Sequence, residues 1–440
     1  MSNSSFSIRK KISTQKIIHF FLKHFKLIFI TIFIFIASFI KIKFSLNIFI
    51  SLIISLIINI LIFFLIILSF YKIIEKAGFI ENWHDLYGSK ILNIPYYTND
   101  IIINSFKKGG INFNEEIGNI NNGNDYSKTE RNYYDIYIPY SSLKRKNKVN
   151  GIILFIHGGG WKKGIKKDMG FFCSRYAKCG YITASMNYTL LNKKYKEYNI
   201  FRILDEITAC IDNIKAELKK EGFDENKLEL ALGGVSAGAH LSLLYGYSMK
   251  NSPIPIKFVI NIVGPLSLEP EFFLKIDKDK EPLENIEPND IENAIKEKKI
   301  VYVFEKDERL LIKFMNSFIG DKYSDKEINE ILVNKKINKE NENYKEMLKI
   351  IKYTSPLKYI NSNTPPTLCE YGGMDPIVGV GFYSFLKQLS EKYGNKIELI
   401  YMKEGDHALM NYYTTDGMNA MREMHYQILH FAKTYFTLEN

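Results

Sequence analysis

Charge is missing from two stretches near the start of the chain and frequent almost everywhere else. Leu27–Ile40 carries none over 14 positions, Lys41-Ile42-Lys43 interrupts, and the 28 residues from Phe44 to Tyr71 are again uncharged. The second run is long enough to cross a bilayer with some tilt. The first is about 21 Å long as a helix against a hydrocarbon core of ~30 Å, and spans it only if Phe25 to Ile42 is recruited with its lysines snorkelling. The pattern predicts a membrane segment over residues 27–74, built of two helices, after a basic segment at residues 1–26. A single span, with the first run lying in the interface, is the alternative. A buried core helix does not need uncharged runs of this length, and a cleaved signal peptide has an apolar region of only ~7–15 residues.

Residues 75–128 are polar and irregular, ending in Asn119-Ile120-Asn121-Asn122-Gly123-Asn124-Asp125, and predict a linker. From residue 129 to 440 strand-like and helix-like periods alternate. Tyr133–Pro139 alternates and ends in proline, as an edge strand does. Ile152–Ile156 is the next strand, Asp168 opens a helix that stops at Gly180, and Tyr181–Met186 is a third strand. A helix from Ile203 to Leu218, closed by Gly222, precedes the buried run Leu228–Leu232, a further helix and the strand Lys257–Val263. Such alternation implies crossover connections, hence an α/β class with a mostly parallel doubly wound sheet and a ligand site at the carboxyl ends of its strands.

The rhythm breaks over roughly residues 265–349, which are rich in Lys, Glu, Asp and Asn and hold only Ile300–Phe304 as an apolar run. A structureless loop of that length is implausible in a compact domain, so an inserted, mostly helical cap is expected. The pattern resumes with a strand at Thr367–Tyr371, a helix at Phe382–Tyr393, a strand at Ile397–Met402 and a last helix from Asp416 to Phe436. In that helix Met421, Met424, Ile428 and Phe431 share a core-facing stripe.

A hydrophobic content of 46% permits a large core, and a net charge of +11 suits a nucleic-acid partner on its face. Its location argues otherwise. Residues 1–80 hold ten Lys/Arg and one acid, which leaves only +2 for residues 81–440. The excess is juxtamembrane: it holds the N-terminus inside and attracts anionic lipid, and no nucleic-acid partner is expected. Two spans place the following domain in the cytoplasm; one span places it outside or in a lumen. Cys173, Cys179, Cys210 and Cys369 lack metal-site spacing and read as reduced thiols.

Gly234-Val235-Ser236-Ala237-Gly238 follows the strand ending at Leu232 and precedes His240-Leu241-Ser242-Leu243-Leu244, which starts at helical spacing. A serine on such a strand-turn-helix junction sits on a strained bend, and the flanking glycines let neighbouring backbone pass close by. Upstream, His157-Gly158-Gly159-Gly160-Trp161 follows the strand ending at Ile156. Its glycines leave backbone N–H groups open, as acyl transfer requires where negative charge develops on a carbonyl oxygen. The two motifs, with 78 residues between His157 and Ser236, resemble those of α/β-hydrolase carboxylesterases related to hormone-sensitive lipase, arylacetamide deacetylase and the kynurenine-formamidase-like esterases. The resemblance runs from about Tyr133 to the C-terminus.

A serine hydroxyl needs an adjacent base, and the base needs a group to fix its tautomer. Of eight histidines, His19 and His24 flank the membrane segment, His84 lies in the linker, and His425 and His430 lie in the last helix. The resemblance implies that His157 shapes its turn, a structural role shared with Gly160, Trp161, Gly234 and Gly238. His240 lies one helical turn after Ser236 and is directed into packing. His407 remains, in a loop after the last strand, and the order Ser236, Asp375, His407 matches that of the α/β-hydrolases. Asp375 follows a strand and a Gly-Gly turn, whereas Asp406 adjoins His407 too closely to bend back to its ring. The backbone N–H groups of Gly158, Gly159 and Ala237 are the expected oxyanion donors. Many members of the resembling group have arginine after the Asn-Tyr pair, where this chain has Thr189 after Asn187-Tyr188.

The expectation is a membrane-anchored serine hydrolase that cleaves a small-molecule or lipid ester through an acyl-serine and needs neither metal nor organic cofactor. The rivals are an amide hydrolase on the same triad and a catalytically silent hydrolase fold used for binding.

Overall fold

This computed structural model describes residues 88–96, 131–191, 199–249, 251–277, 280, 288–304, 307–407 and 415–437, with a few helical positions between 50 and 61. The predicted basic segment, and all of the membrane segment except those few positions, lie outside the described residues, as do His19, His24 and His84. Among the described residues no helix is long and apolar enough to cross a membrane. Residues 83–409 with 420–440 form one compact unit.

Eight strands form the main sheet of this unit: β1 (Gly88–Pro95), β2 (Tyr133–Pro139), β3 (Asn150–Ile156), β4 (Ile182–Met186), β5 (Leu228–Val235), β6 (Ile256–Ile262), β7 (Thr367–Gly372) and β8 (Ile397–Met402). Their order is β1-β2-β4-β3-β5-β6-β7-β8. β1 and β2 are antiparallel to their neighbours, and from β4 to β8 every pairing is parallel. Every residue of β3 is buried, which is why its sequence is a continuous apolar run with no polar alternation.

Side chains on the two faces of β3 separate by period two. Ile152, Leu154 and Ile156 join a core with Ile203, Leu204 and Ile207 of α2 (Ile200–Lys220) and Leu241 and Leu244 of α3 (Ala237–Ser248). Phe155, on the other face, lies 5.3 Å from Phe172 and 5.7 Å from Tyr176 between ring centroids, both on α1 (Gly170–Lys178). Helix α2 begins where Asn199 accepts hydrogen bonds from the N–H groups of Phe201 and Arg202, and the chain leaves it through Gly222 at φ +86°.

The stretch between β6 and β7, over which a cap is expected, is mostly helical. It carries α4 (Pro288–Lys296), α5 (Arg309–Phe318), α6 (Asp325–Ile331) and α7 (Glu342–Tyr353), so its last helix runs past the expected boundary. Two small antiparallel ladders accompany them, Leu274–Ile276 with Ile300–Tyr302 and Leu332–Val333 with Lys336–Ile337. Ser324 and Glu327 close a capping box on α6, and Asn341 caps α7. Leu311, Met315, Phe318, Met347 and Ile351 of the cap belong to the same apolar cluster as β3 and α3, so the cap is fused to the main core. α8 (Gly381–Tyr393) ends at Gly394 in the left-handed region, and α9 (Thr415–Tyr435) buries Met424, Ile428 and Phe431.

Three expectations need correction. Residues 75–128 are not linker throughout, because Gly88–Pro95 is a strand of the main sheet. Tyr133–Pro139 is therefore not the edge: β1 covers it, and Pro139, which lacks an N–H to donate, falls at the last position of the strand. The helix expected to open at Asp168 begins instead at Gly170, after a tight turn over Lys166–Met169 in which Asp168 accepts from the N–H of Ile165.

Candidate active site

Ser236 follows β5 and caps α3 at φ 54°, ψ −118°, a conformation that costs a non-glycine residue free energy. The flanking glycines follow from close backbone approach. A Cβ on Gly234 would lie 2.3 Å from the Gly238 carbonyl carbon, and one on Gly238 would lie 2.0 Å from the Ile156 carbonyl oxygen. The N–H of Ser236 donates to the Ile262 carbonyl at 2.8 Å, which ties the bend to the neighbouring strand. The hydroxyl is thereby lifted off the carboxyl end of the sheet.

β7 and β8 pair in parallel with Gly372 opposite Met402, so the loops that follow them leave side by side. The loops are joined by backbone hydrogen bonds: Gly373 N–H donates to Met402 O at 2.8 Å and Met374 N–H to Gly405 O at 2.9 Å. A Cβ on Gly372 would lie 2.3 Å from the Gly405 carbonyl oxygen, so the approach requires that glycine. Asp375 on one loop and His407 on the other meet as a result. Asp375 Oδ2 is 2.8 Å from His407 Nδ1, and His407 Nε2 is 2.9 Å from Ser236 Oγ. The other Asp375 oxygen accepts from the N–H groups of Ile377 and Val378 at 2.8 and 2.9 Å, and the side chain is fully buried. The carboxylate can only accept, so Nδ1 carries the imidazole proton and Nε2 is left to accept from the serine hydroxyl.

The glycine motif lies against the same bend. A Cβ on Gly158 would lie 2.8 Å from the Val235 carbonyl oxygen and 3.4 Å from Ser236 Cβ. Gly159, Gly160 and Trp161 follow with φ of 110°, 58° and 56°. Trp161 is buried against Phe318 and Phe314 of α5, at 5.0 and 5.2 Å between centroids, and against His240 at 5.2 Å. The cap therefore packs directly on the glycine loop.

The other described histidines lie away from the serine–imidazole contact. His240 is buried and its Nε2 donates to the Thr354 carbonyl at 2.9 Å, while burial pulls its pKa down to about 3. His425 is buried beside the Tyr176 hydroxyl at 2.7 Å, its pKa likewise lowered by burial to about 3, and His430 is exposed. The ring of His157 is buried and stacked on Tyr188 at 4.3 Å, with its pKa lowered to about 4 chiefly by burial. The neutral imidazoles of His157 and His240 add no charge near the serine. No disulfide joins the four cysteines, and among the described residues no cluster of His, Cys, Asp and Glu could hold a metal ion.

Residues 134–388, more than half of the chain, match the BD-FAE family. The chain belongs to the BD-FAE family. This is a family of α/β-hydrolase-type esterases, and the chain is a serine carboxylic-ester hydrolase. The match does not extend to the narrower grouping with hormone-sensitive lipase and arylacetamide deacetylase. Solved structures that resemble this esterase include a truncated carbohydrate esterase from gut microbiota (16% identity, 78% of this chain, 99% of that chain, TM-score 0.47). Esterase B from Lactobacillus rhamnosis is similar at 13% identity over 83% of this chain and 90% of that chain, TM-score 0.48. Butyrate-bound Est2 from Thermogutta terrifontis is similar at 17% identity over 72% of this chain and 95% of that chain, TM-score 0.43. No curated protein matches the chain.

Two features of the esterase escape a reading of the sequence. Lys166 and Asp135 form a buried ion pair at 2.5 Å, and Lys166 also donates to Asn93 of β1 at 2.9 Å, pinning the segment after the glycine motif to the sheet. The guanidinium of Arg131 donates to the carbonyl oxygens of Tyr188 and Gly164, each at 2.8 Å. Thr189, at the position where many members of the resembling group have arginine, instead donates through both its N–H and its hydroxyl to the buried Glu206. Charged residues read by default as solvated, and neither Arg131 nor Lys166 stands in a recognisable motif. The signal available was an isolated aspartate, Asp135, inside an apolar strand, which a buried carboxylate tolerates only with a partner.

Proposed function

We propose that this esterase cleaves its ester through an acyl-serine intermediate: Ser236 attacks the carbonyl carbon, His407 takes the hydroxyl proton and returns it to the leaving alkoxide, and Asp375 holds the imidazole. Water, deprotonated by His407, then releases the acid and regenerates the serine. The backbone N–H groups of Gly158, Gly159 and Ala237 stabilise the oxyanion at both tetrahedral stages. The observation that carries the reading is the continuous chain Asp375 Oδ2, His407, Ser236 Oγ at 2.8 and 2.9 Å. Ala237 supports it by position, as the first residue of α3, whose N-terminal N–H groups have no partner within the helix.

The substrate is a small-molecule or lipid ester, and the uncharged runs at residues 27–40 and 44–71 tether the enzyme to a membrane as a helical hairpin. The test is turnover of a series of p-nitrophenyl esters of increasing acyl length, with aryl amides alongside, by the wild type and by His407→Ala. Ester cleavage that disappears in the folded variant supports the reading. Ester cleavage that persists in His407→Ala removes His407 from the mechanism, and faster cleavage of amides overturns the ester preference.

A further inference from the structure

The oxyanion donors are only as good as the peptide planes that carry them, and one plane in the glycine loop is fixed from behind. His157 Nδ1 lies 2.8 Å from the Gly158 carbonyl oxygen. A carbonyl only accepts, so Nδ1 must carry the proton, and the neutral ring then has Nε2 as an acceptor. Facing Nε2 at 3.3 Å is Nη2 of Arg131, which only donates. The two contacts agree on a single tautomer. Burial lowers the pKa of His157 to about 4, with the Arg131 charge adding in the same direction, so the ring is neutral in that tautomer near neutrality.

In a planar trans peptide the N–H points opposite to the C=O. Holding the Gly158 carbonyl towards His157 therefore turns the Gly159 N–H away from it. The arrangement is tight on the histidine side, where a Cβ on Gly164 would lie 2.4 Å from the Gly158 oxygen and 2.5 Å from His157 Nδ1. It is tight on the serine side as well, where Gly158 abuts Val235 and Ser236. Arg131 is itself held by the Tyr188 and Gly164 carbonyls, and Tyr188 stacks on the His157 ring while its hydroxyl donates to the His157 carbonyl at 3.2 Å.

We propose that Arg131 is a positioning residue for ester hydrolysis: it fixes the His157 tautomer, His157 fixes the Gly158–Gly159 peptide, and that peptide presents the Gly159 N–H to the oxyanion. This rests on the acyl-serine reading. Without Arg131, the ring is free to adopt the opposite tautomer, which sets the lone pair of Nδ1 against the Gly158 oxygen and releases the peptide. The interaction lost is one made in the transition state, so kcat falls while KM does not. Removing one oxyanion donor outright costs about 10²–10³ in kcat, and releasing a donor that remains in the loop costs about 10–100-fold.

The experiment uses the full-length enzyme with Arg131→Met and Arg131→Lys. A p-nitrophenyl ester reports kcat and KM, and an aryl trifluoromethyl ketone, whose serine adduct carries an oxyanion, reports binding of that charge. Expected for Arg131→Met are a kcat lower by about 10–100-fold, a KM within about twofold of wild type, and ketone affinity weakened in step with kcat. Millimolar guanidinium should raise kcat in this variant and not in the wild type. Should Arg131→Met not fold, Arg131→Lys decides, because an ammonium is a single point and does not reproduce the fork through which Nε and Nη2 reach separate acceptors, so kcat should again fall. Wild-type kcat in a folded variant overturns the inference, as does a raised KM at constant kcat or ketone affinity that stays constant. A fluorophosphonate adduct on wild-type Ser236 separates the two levels. With the adduct present and Arg131 neutral to change, only this inference fails; with no adduct at Ser236, the acyl-serine reading fails and takes this one with it.

Discussion

Glu370 stands in the middle of β7, is completely buried, and among the described residues has no hydrogen-bond partner for either carboxyl oxygen. Burial raises its pKa well above the carboxylate range, with Glu423 adding to the shift. The folded protein thus holds a proton that the unfolded chain has released once pH exceeds ~4.3. Stability then falls as pH rises, by about 1.4 kcal/mol per unit, until the folded-state pKa is passed. Glu370→Gln keeps the shape and removes the titration, but its amide brings an extra unpartnered donor worth about 1 kcal/mol. The variant should therefore gain on wild type as pH rises above the unfolded carboxyl pKa, by about 1.4 kcal/mol per unit until the folded-state pKa is passed, and be no more stable at pH 4–5. At roughly 1–2 °C per kcal/mol for a unit of this size, differential scanning calorimetry should find a Tm gap that widens by about 2 °C per pH unit above pH 5 and closes on acidification. A gap of constant size between pH 5 and 8 would show that Glu370 does not take up a proton on folding, and would refute the reasoning.

Three further outcomes are expected. Asp375→Asn should lower kcat by several orders of magnitude, about 10⁴-fold in the comparable case, with little change in Tm, because the amide offers His407 Nδ1 a donor where an acceptor is needed; a larger loss in Asp406→Asn would reassign the acid. Gly238→Ala, whose Cβ falls 2.0 Å from the Ile156 oxygen, should destabilise by more than the ~1–3 kcal/mol usual for overpacking, whereas Gly160→Ala, with open space around it at φ +58°, should cost only the ~1–2 kcal/mol of left-handed strain; equal melting temperatures would contradict both. Protease added to sealed right-side-out vesicles should leave the hydrolase unit intact if the uncharged runs form a hairpin, and digestion without lysis would require a single span.

The serine bend was legible because its requirements are local. A strand, a turn and a helix meet at Ser236, and the closeness of Gly234 to Gly238 and of Gly238 to Ile156 is written into the sequence as two glycines. His407 and Asp375 were legible as types in a given order, but their meeting depends on the parallel register of Gly372 with Met402, which no local pattern encodes. β1 was hidden for a related reason. Its partner lies some 45 residues away, its register shifts between Ile91 and Ile94, and its half-exposed side chains leave almost no alternation to read. Arg131, Lys166 and Glu370 were invisible as functional or structural residues because burial of a charge is decided by the fold around it.

The central claim is that Ser236 is the nucleophile of this BD-FAE esterase, and one measurement addresses it directly: peptide mapping by mass spectrometry after reaction of the native enzyme with a fluorophosphonate. The expected result is a single stoichiometric adduct on the peptide containing Gly234-Val235-Ser236-Ala237-Gly238, formed with loss of ester turnover and absent from a folded Ser236→Ala variant. An adduct on another serine, or full inactivation with Ser236 unmodified, would contradict it.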